Sequence, residues 1–197
     1  MDLLKDDKFY VWPSFMRSFE LIDPKNLAHD VVLGYIRSRS DVFIMIPGTP
    51  FAQISIIVLD DLVYKQTLEQ ALHFSTLLPN YKKDIAAAPV SSMGCTPRLY
   101  LSRSTWAAVG VVLISSPATK SDEALRRCIF LALDYINGMP IPDNGFYSES
   151  IPSDDDRHEL LNYIYKCSKE NSGLTSEKSR DGFSPNPSIE CVLDLIK

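Results

Sequence analysis

Three histidines, His29, His73 and His158, carry all the imidazole chemistry available to this chain of 197 residues. One of them opens the run His158-Glu159-Leu160-Leu161-Asn162. A metallopeptidase helix needs two histidines one turn apart, so that both rings reach one zinc, and a glutamate beside them as general base. Here the second position is Asn162. A metal-dependent hydrolase built on His158 and Glu159 would therefore have to recruit His29 or His73 from elsewhere in the chain. The plainer reading of the same run is a solvated first helical turn. His29 and His73 each fall in an amphipathic stretch and read as helix-face residues. The acids Asp154-Asp155-Asp156 lack the alternating spacing and central glycine of a calcium loop, and instead suit the positive end of a helix dipole. No GxSxG elbow, phosphate-cradling lysine loop or GxGxxG turn is present.

The four cysteines, Cys95, Cys128, Cys167 and Cys191, are widely spaced and contain no CxxC pair, which excludes a zinc knuckle and a thioredoxin-like motif. Four cysteines allow three pairings, and their spacing does not choose among them. The net charge of -5 has the wrong sign for phosphate backbones or anionic lipid, so no nucleic acid is expected as a partner. With 45% hydrophobic and 23% charged residues, the composition is that of a globular chain able to bury a core. No apolar run approaches the ~20 residues of a membrane-spanning segment. The N-terminal Met1-Asp2-Leu3-Leu4-Lys5-Asp6-Asp7-Lys8 has no apolar region of a signal peptide. Either the protein stays where it is made, or the sequence is a trimmed form.

The elements that must position these residues read as follows. Residues 8–21 mix aromatic and polar residues in near-alternation, suggesting a strand or wrapped arm interrupted at Pro13. Asp23-Pro24 reads as a helix start, with Leu27, Val31, Val32, Tyr35 and Ile36 at helical spacing and an end near Arg39. Val42–Ile46 and Ile54–Leu59 read as two strands joined by a turn at Pro47-Gly48-Thr49-Pro50. A helix is expected over 62–78, and irregular chain over 79–97. Strands follow at 98–101 and 106–115. The strongest helix runs from Ser121 to Asn137 and stops at Gly138, with Ala124, Leu125, Cys128, Leu131, Ala132, Tyr135 and Ile136 as its core stripe. Residues 139–153 read as loop and 154–168 as another helix. The fold class is α+β, a small mixed sheet packed with helices. A single domain over 1–168 is followed by a polar tail, 169–197, that ends in a short helix at 188–196.

The segment Arg127-Cys128-Ile129-Phe130-Leu131-Ala132-Leu133-Asp134-Tyr135-Ile136-Asn137-Gly138-Met139-Pro140 resembles one found in a zincin-like, metallopeptidase-related bacterial domain family of unknown function, from secreted and lipid-anchored proteins. That family reads Arg-x-Cys-Leu-x-Glu-Glu-Leu-x-Gln-x-Leu-Gly-Leu-Pro. The register agrees without a gap at Cys128, Leu133, Gly138 and Pro140. Phe146-Tyr147 with Asp154-Asp155-Asp156, the 157–167 helix ending Tyr163-Ile164-Tyr165, and Ser172-Gly173-Leu174-Thr175 resemble the family's following stretches in order. The resemblance covers roughly residues 90–180. Where a working zincin presents ligand, base and ligand on this helix, this sequence has Leu131, Ala132 and Tyr135. Leucine and alanine neither bind a cation nor move a proton, and a lone tyrosine is a poor divalent site.

The resemblance thus implies a zincin-like fold whose catalytic helix is chemically empty: a pseudoenzyme with no metal and no cofactor. The family has cysteines at both places, so the resemblance also implies a Cys95–Cys128 disulfide in an oxidising compartment, with two buried free thiols as the alternative. A Cys167–Cys191 pair would tie the terminal helix to helix 154–168. The expectation is a noncatalytic structural or binding subunit whose partners are other protein subunits, which would also order the polar stretch 169–187. Its expected location is periplasmic or secreted. The alternatives are the metal-dependent hydrolase above and a cytoplasmic adaptor with reduced cysteines.

Overall fold

The computed structural model describes residues 16–48, 52–67, 81–84, 94–102, 108–116, 121–139, 153–172 and 191. Six strands, β1 (Met16–Ile22), β2 (Ile44–Pro47), β3 (Ile54–Leu59), β4 (Tyr81–Asp84), β5 (Cys95–Ser102) and β6 (Ala108–Ser115), form one mixed sheet in the order β2-β1-β3-β6-β5-β4. The helices are α1 (His29–Ser38), α2 (61–67), α3 (Asp122–Ile136) and α4 (Asp154–Ser172). The α+β class holds. The irregular stretch expected over 79–97 instead contains β4 and the start of β5, and α4 continues past residue 168 to Ser172. Of the expected terminal helix, Cys191 is helical and the remainder lies outside the described residues.

The two strands expected around the Pro47-Gly48-Thr49-Pro50 turn, β2 and β3, are present but do not pair with each other. Both strands pair in parallel with β1, on opposite sides of it. Phe19 is the register partner of Pro47 on one side and of Ile54 on the other. The chain therefore leaves β2 and enters β3 at the same height, crossing β1 from one side to the other. Close approach makes this crossing possible. Gly48 donates its N–H to the Phe19 carbonyl at 2.8 Å, and a Cβ on Gly48 would stand 2.7 Å from Ser18 Cβ. Ser18 and Gln53 secure the far side reciprocally: Ser18 N–H donates to Gln53 Oε1 and Gln53 N–H donates to Ser18 Oγ, each at 3.1 Å. A turn composition such as Pro-Gly-Thr-Pro signals a change of direction but not which strand lies between the two flanking runs.

Alternation along the strands sorts side chains to two faces. Phe19, Met45, Ile54, Ile56, Val58, Val112 and Ile114 join Val32 and Tyr35 of α1, Leu125 and the apolar residues of Cys128–Ile136 of α3, and Leu161, Ile164 and Tyr165 of α4 in one large core. On the opposite face a smaller cluster gathers Tyr64 of α2 with Leu113, Ile57, Leu59 and Val111. Beyond its reach, Met16, Ile44 and Ile46 at the β2 edge stay 51%, 49% and 40% exposed.

Two helix ends are built as their sequences indicate. Ser153 Oγ accepts from Asp156 N–H at 3.2 Å while Asp156 Oδ2 accepts from Ser153 N–H at 3.2 Å, a reciprocal cap at the start of α4. α3 ends in a Schellman turn, with Met139 N–H donating to the Asp134 carbonyl, Gly138 N–H to the Tyr135 carbonyl, and Gly138 at φ 112°. The start of α1 differs from expectation. Pro24 and Lys25 form a turn closed by Asn26 N–H on the Asp23 carbonyl, Asn26 lies at φ 54°, and the helix begins only at His29, with Asp23 Oδ2 accepting from Ala28 N–H at 2.6 Å.

Candidate functional site

The only acid in the apolar run Cys128–Ile136 is Asp134, and it is completely buried. A carboxylate survives in such a place only if it is paired and fully hydrogen-bonded. Asp134 Oδ1 accepts from Tyr35 Oη at 3.0 Å and from Arg39 Nε at 3.1 Å. Asp134 Oδ2 accepts from Arg39 Nη2 at 3.2 Å and from Arg157 Nε at 2.9 Å. Four donors thus fill the roughly four acceptor positions that a carboxylate has. The two arginines then share a second acid. Asp154 Oδ1 accepts from Arg39 Nη2 at 2.6 Å and from Arg157 Nη2 at 2.8 Å, and Arg126 Nη2 lies 3.7 Å from Asp154 Oδ2.

Local sequence places each member. Arg39 is the residue that caps the C-terminal end of α1, Tyr35 lies one turn before it, and Asp154 and Arg157 occupy the first turn of α4. The cluster therefore joins α1, α3 and α4 at one corner. Burial alone would lower the Arg39 pKa, but Asp134 beside it outweighs that, and the guanidinium is held above its ordinary value. Burial, reinforced by Asp134, pushes the Tyr35 hydroxyl well above its ordinary value. Asn137 Nδ2 donates to Tyr35 Oη at 3.3 Å and to the Leu133 carbonyl at 2.8 Å, extending the network to the end of α3. Nearby, Arg17 is buried between the rings of Phe43 and Tyr165, 4.5 and 5.0 Å from their centroids, and donates to Tyr165 Oη. Tyr165 Oη in turn donates to the Asn137 carbonyl at 2.8 Å.

This arrangement can clamp elements together, but it has little reactive capacity. The acceptor positions of Asp134 are taken up by its own chain, and Arg39 and Arg157 are each paired with both Asp134 and Asp154.

The residues singled out by sequence lie around this corner without converging. Leu131, Ala132 and Tyr135 are buried at 6%, 0% and 9% exposure, in the core. Leu131 and Ala132 offer no donor atom, so these positions do not fit a metal. His158 Nε2 lies 2.9 and 3.0 Å from the two carboxylate oxygens of Asp41, which also accepts from Asn162 Nδ2 at 3.4 Å. Partial burial raises the Asp41 pKa, but the hydrogen bonds from His158 and Asn162 outweigh it and hold the carboxyl below its ordinary value. Glu159 instead accepts from Tyr163 Oη one turn along α4. His29 Nδ1 sits 3.2 Å from Asp30 at the start of α1, and His73 lies outside the described residues. Among the described residues no group of three or more His, Cys, Asp or Glu side chains is gathered for a metal ion.

The first-turn acids of α4 serve more than the dipole, because Asp154 is an ion-pair partner of both buried arginines. Sequence reasoning missed Asp134, Arg39, Arg157 and Tyr35. The available signal was a lone acid inside nine otherwise apolar residues of a helix, Cys128–Ile136, a position that demands a cationic partner.

Cys95 and Cys128 are joined, with Cα atoms 5.8 Å apart, and link β5 to α3. Cys167 and Cys191 are joined at a Cα separation of 5.9 Å. In chain-entropy terms the 33-residue separation of the first bridge corresponds to about 4 kcal/mol of stabilisation. No helix among the described residues is long and apolar enough to cross a membrane. Comparison with protein-family models, with curated proteins and with solved structures finds no match.

Proposed function

We propose that this protein is a noncatalytic structural or binding subunit that works in an oxidising compartment, as a periplasmic or secreted component of a larger protein assembly. The observation that carries this reading is the state of α3. Leu131 and Ala132, at the positions where a zincin-like helix would work, are apolar core residues, and the one acid of the stretch is consumed by Arg39, Arg157 and Tyr35. The two disulfides support the compartment, since such bridges persist where thiols are not kept reduced. The uncharged strip of Met16, Ile44 and Ile46 at the β2 edge supports a binding role, as exposed apolar patches on globular proteins mark contact surfaces.

Two measurements on protein secreted into an oxidising compartment test the reading. Elemental analysis should find no stoichiometric zinc, and a peptide library should remain uncut. Bound zinc at one per chain together with peptide cleavage abolished by Glu159→Gln would overturn it in favour of a hydrolase. Complexes recovered from the native source should be lost in an Ile44→Lys, Ile46→Lys variant that keeps its melting temperature. Their persistence would remove the apolar strip from the argument.

A further inference from the structure

The two disulfides are placed very differently relative to solvent. Cys95 and Cys128 are 4% and 3% exposed, and their bridge lies between β5 and the most buried helix of the fold. Cys167 is fully buried on the inner side of α4, but Cys191 is only partly buried at the margin of the core. Exchange requires a thiolate to reach one sulfur of the bridge, and accessible bridges are the labile ones. The Cys95–Cys128 bridge can be reached only by separating α3 from the sheet. That separation dismantles the core that holds Ile129, Leu133 and Ile136. Cys191, by contrast, keeps partial exposure at the margin of the core, so its side of the bridge faces solvent more than either end of Cys95–Cys128 does.

We propose that Cys167–Cys191 is a thiol-exchange site, opened by a dithiol reductant in the folded protein while Cys95–Cys128 stays closed. In the first step a thiolate of the dithiol attacks Cys191 Sγ. A new S–S bond forms to Cys191, the Cys167–Cys191 bond breaks, and its electron pair leaves on Cys167 Sγ, which takes up a proton. The reductant's second thiolate then attacks its own bridged sulfur and displaces the Cys191 thiolate, which is protonated in turn. The protein gains two thiols and the dithiol is oxidised to its disulfide. Residue 191 is then uncoupled from α4, while the clamp at Asp134, Arg39 and Arg157 is untouched. The fold thus has one permanent staple and one reversible one, and the reversible one couples residue 191 to α4.

The test uses the full chain, produced in an oxidising compartment and shown to have no alkylatable thiol in the native state. It is incubated with increasing dithiothreitol under native conditions, quenched with N-ethylmaleimide and mapped by peptide mass spectrometry. Cys167 and Cys191 should be modified together, at a rate at least 100-fold above Cys95 and Cys128, while the near-ultraviolet circular dichroism signal is retained. A Cys167→Ala, Cys191→Ser variant, which lacks the reversible bridge, should keep Cys95 and Cys128 unmodified at the same reductant concentration. Modification of Cys95 and Cys128 at the same rate as the other pair would overturn the proposal. So would labelling of Cys167 and Cys191 that appears only with loss of the circular dichroism signal, or free thiols at either residue before reduction.

Discussion

Asp134 is the residue on which the α1, α3 and α4 corner turns. Removing one partner of a buried ion pair leaves uncompensated charge in the interior, which typically costs about 3–5 kcal/mol. Asp134→Ala leaves the buried Arg39 and Arg157 with the partly exposed Asp154 as their shared acid, and should lower the unfolding free energy by about that range in urea denaturation. Asp134→Asn keeps the shape and some of the hydrogen bonds, so it should fall between wild type and Asp134→Ala. The His158–Asp41 pair is the surface counterpart, and the expectation is correspondingly small. The Asp41 carboxyl is held below its ordinary value in the folded protein, so its stabilisation is present above the unfolded pKa of ~3.9 and is lost as the pH falls through the folded value. With the Asp41 side chain 58% exposed, Asp41→Asn should cost no more than about 1 kcal/mol at neutral pH. The difference from wild type should vanish in denaturation curves recorded at strongly acid pH. The apolar stripe of α3 was legible in the sequence because helical spacing alone specifies it. The clamp was not, because Arg39 and Arg157 lie 95 and 23 residues from Asp134, and only the fold makes them neighbours.

Between elements, α3 packs on β6 with no room for a side chain at Gly110. A Cβ on Gly110 would lie 2.6 Å from Ile136 Cγ2 and 3.5 Å from Ile54 Cγ1. The Ile136 atom belongs to a β-branched side chain in the middle of the core, so it cannot swing away as a flexible chain end would. Gly110→Ala should therefore destabilise by about 1–3 kcal/mol through overpacking, read as a lowered melting temperature in calorimetry. Strand and helix identities were mostly legible: β3, β6, α3 and the start of α4 stand where periodicity and caps put them. The pairing of β2 and β3 was not. Their sequences specify two short apolar strands and a turn, but the parallel arrangement depends on β1 already occupying the space between them. β4 escaped notice because Tyr81-Lys82-Lys83-Asp84 is short and polar, and its strand state comes from pairing with β5.

Among the described residues, one face of the sheet is buried by α1, α3 and α4, and on the other α2 supplies the cover, with Tyr64 on Leu113. Stability should be graded accordingly, because local opening is easiest where few apolar contacts hold an element. Amide hydrogen exchange should be slowest in α3 and in β3 and β6, at rates set by global unfolding. It should be markedly faster in α2, where Leu62 and Val63 are exposed and Tyr64 is the main anchor. Exchange in α2 as slow as in α3 would show that the second face is held as firmly as the first. The class of the fold could be read from the order of strand and helix signals, yet the order of strands within the sheet could not. Three of its pairings join segments whose relative placement is set by packing against the helices rather than by any local turn.

The bridges also bear on biosynthesis. Each cysteine is joined to its nearest neighbour along the chain, the first to the second and the third to the fourth, so neither loop encloses or interlaces with the other. For a chain that enters an oxidising space N-terminus first, as the proposed function requires, Cys128 is the first partner that Cys95 meets, and Cys191 is the one left for Cys167. Joining thiols in their order of arrival therefore makes the native pairs directly, with no scrambled pairing for an isomerase to correct along that route.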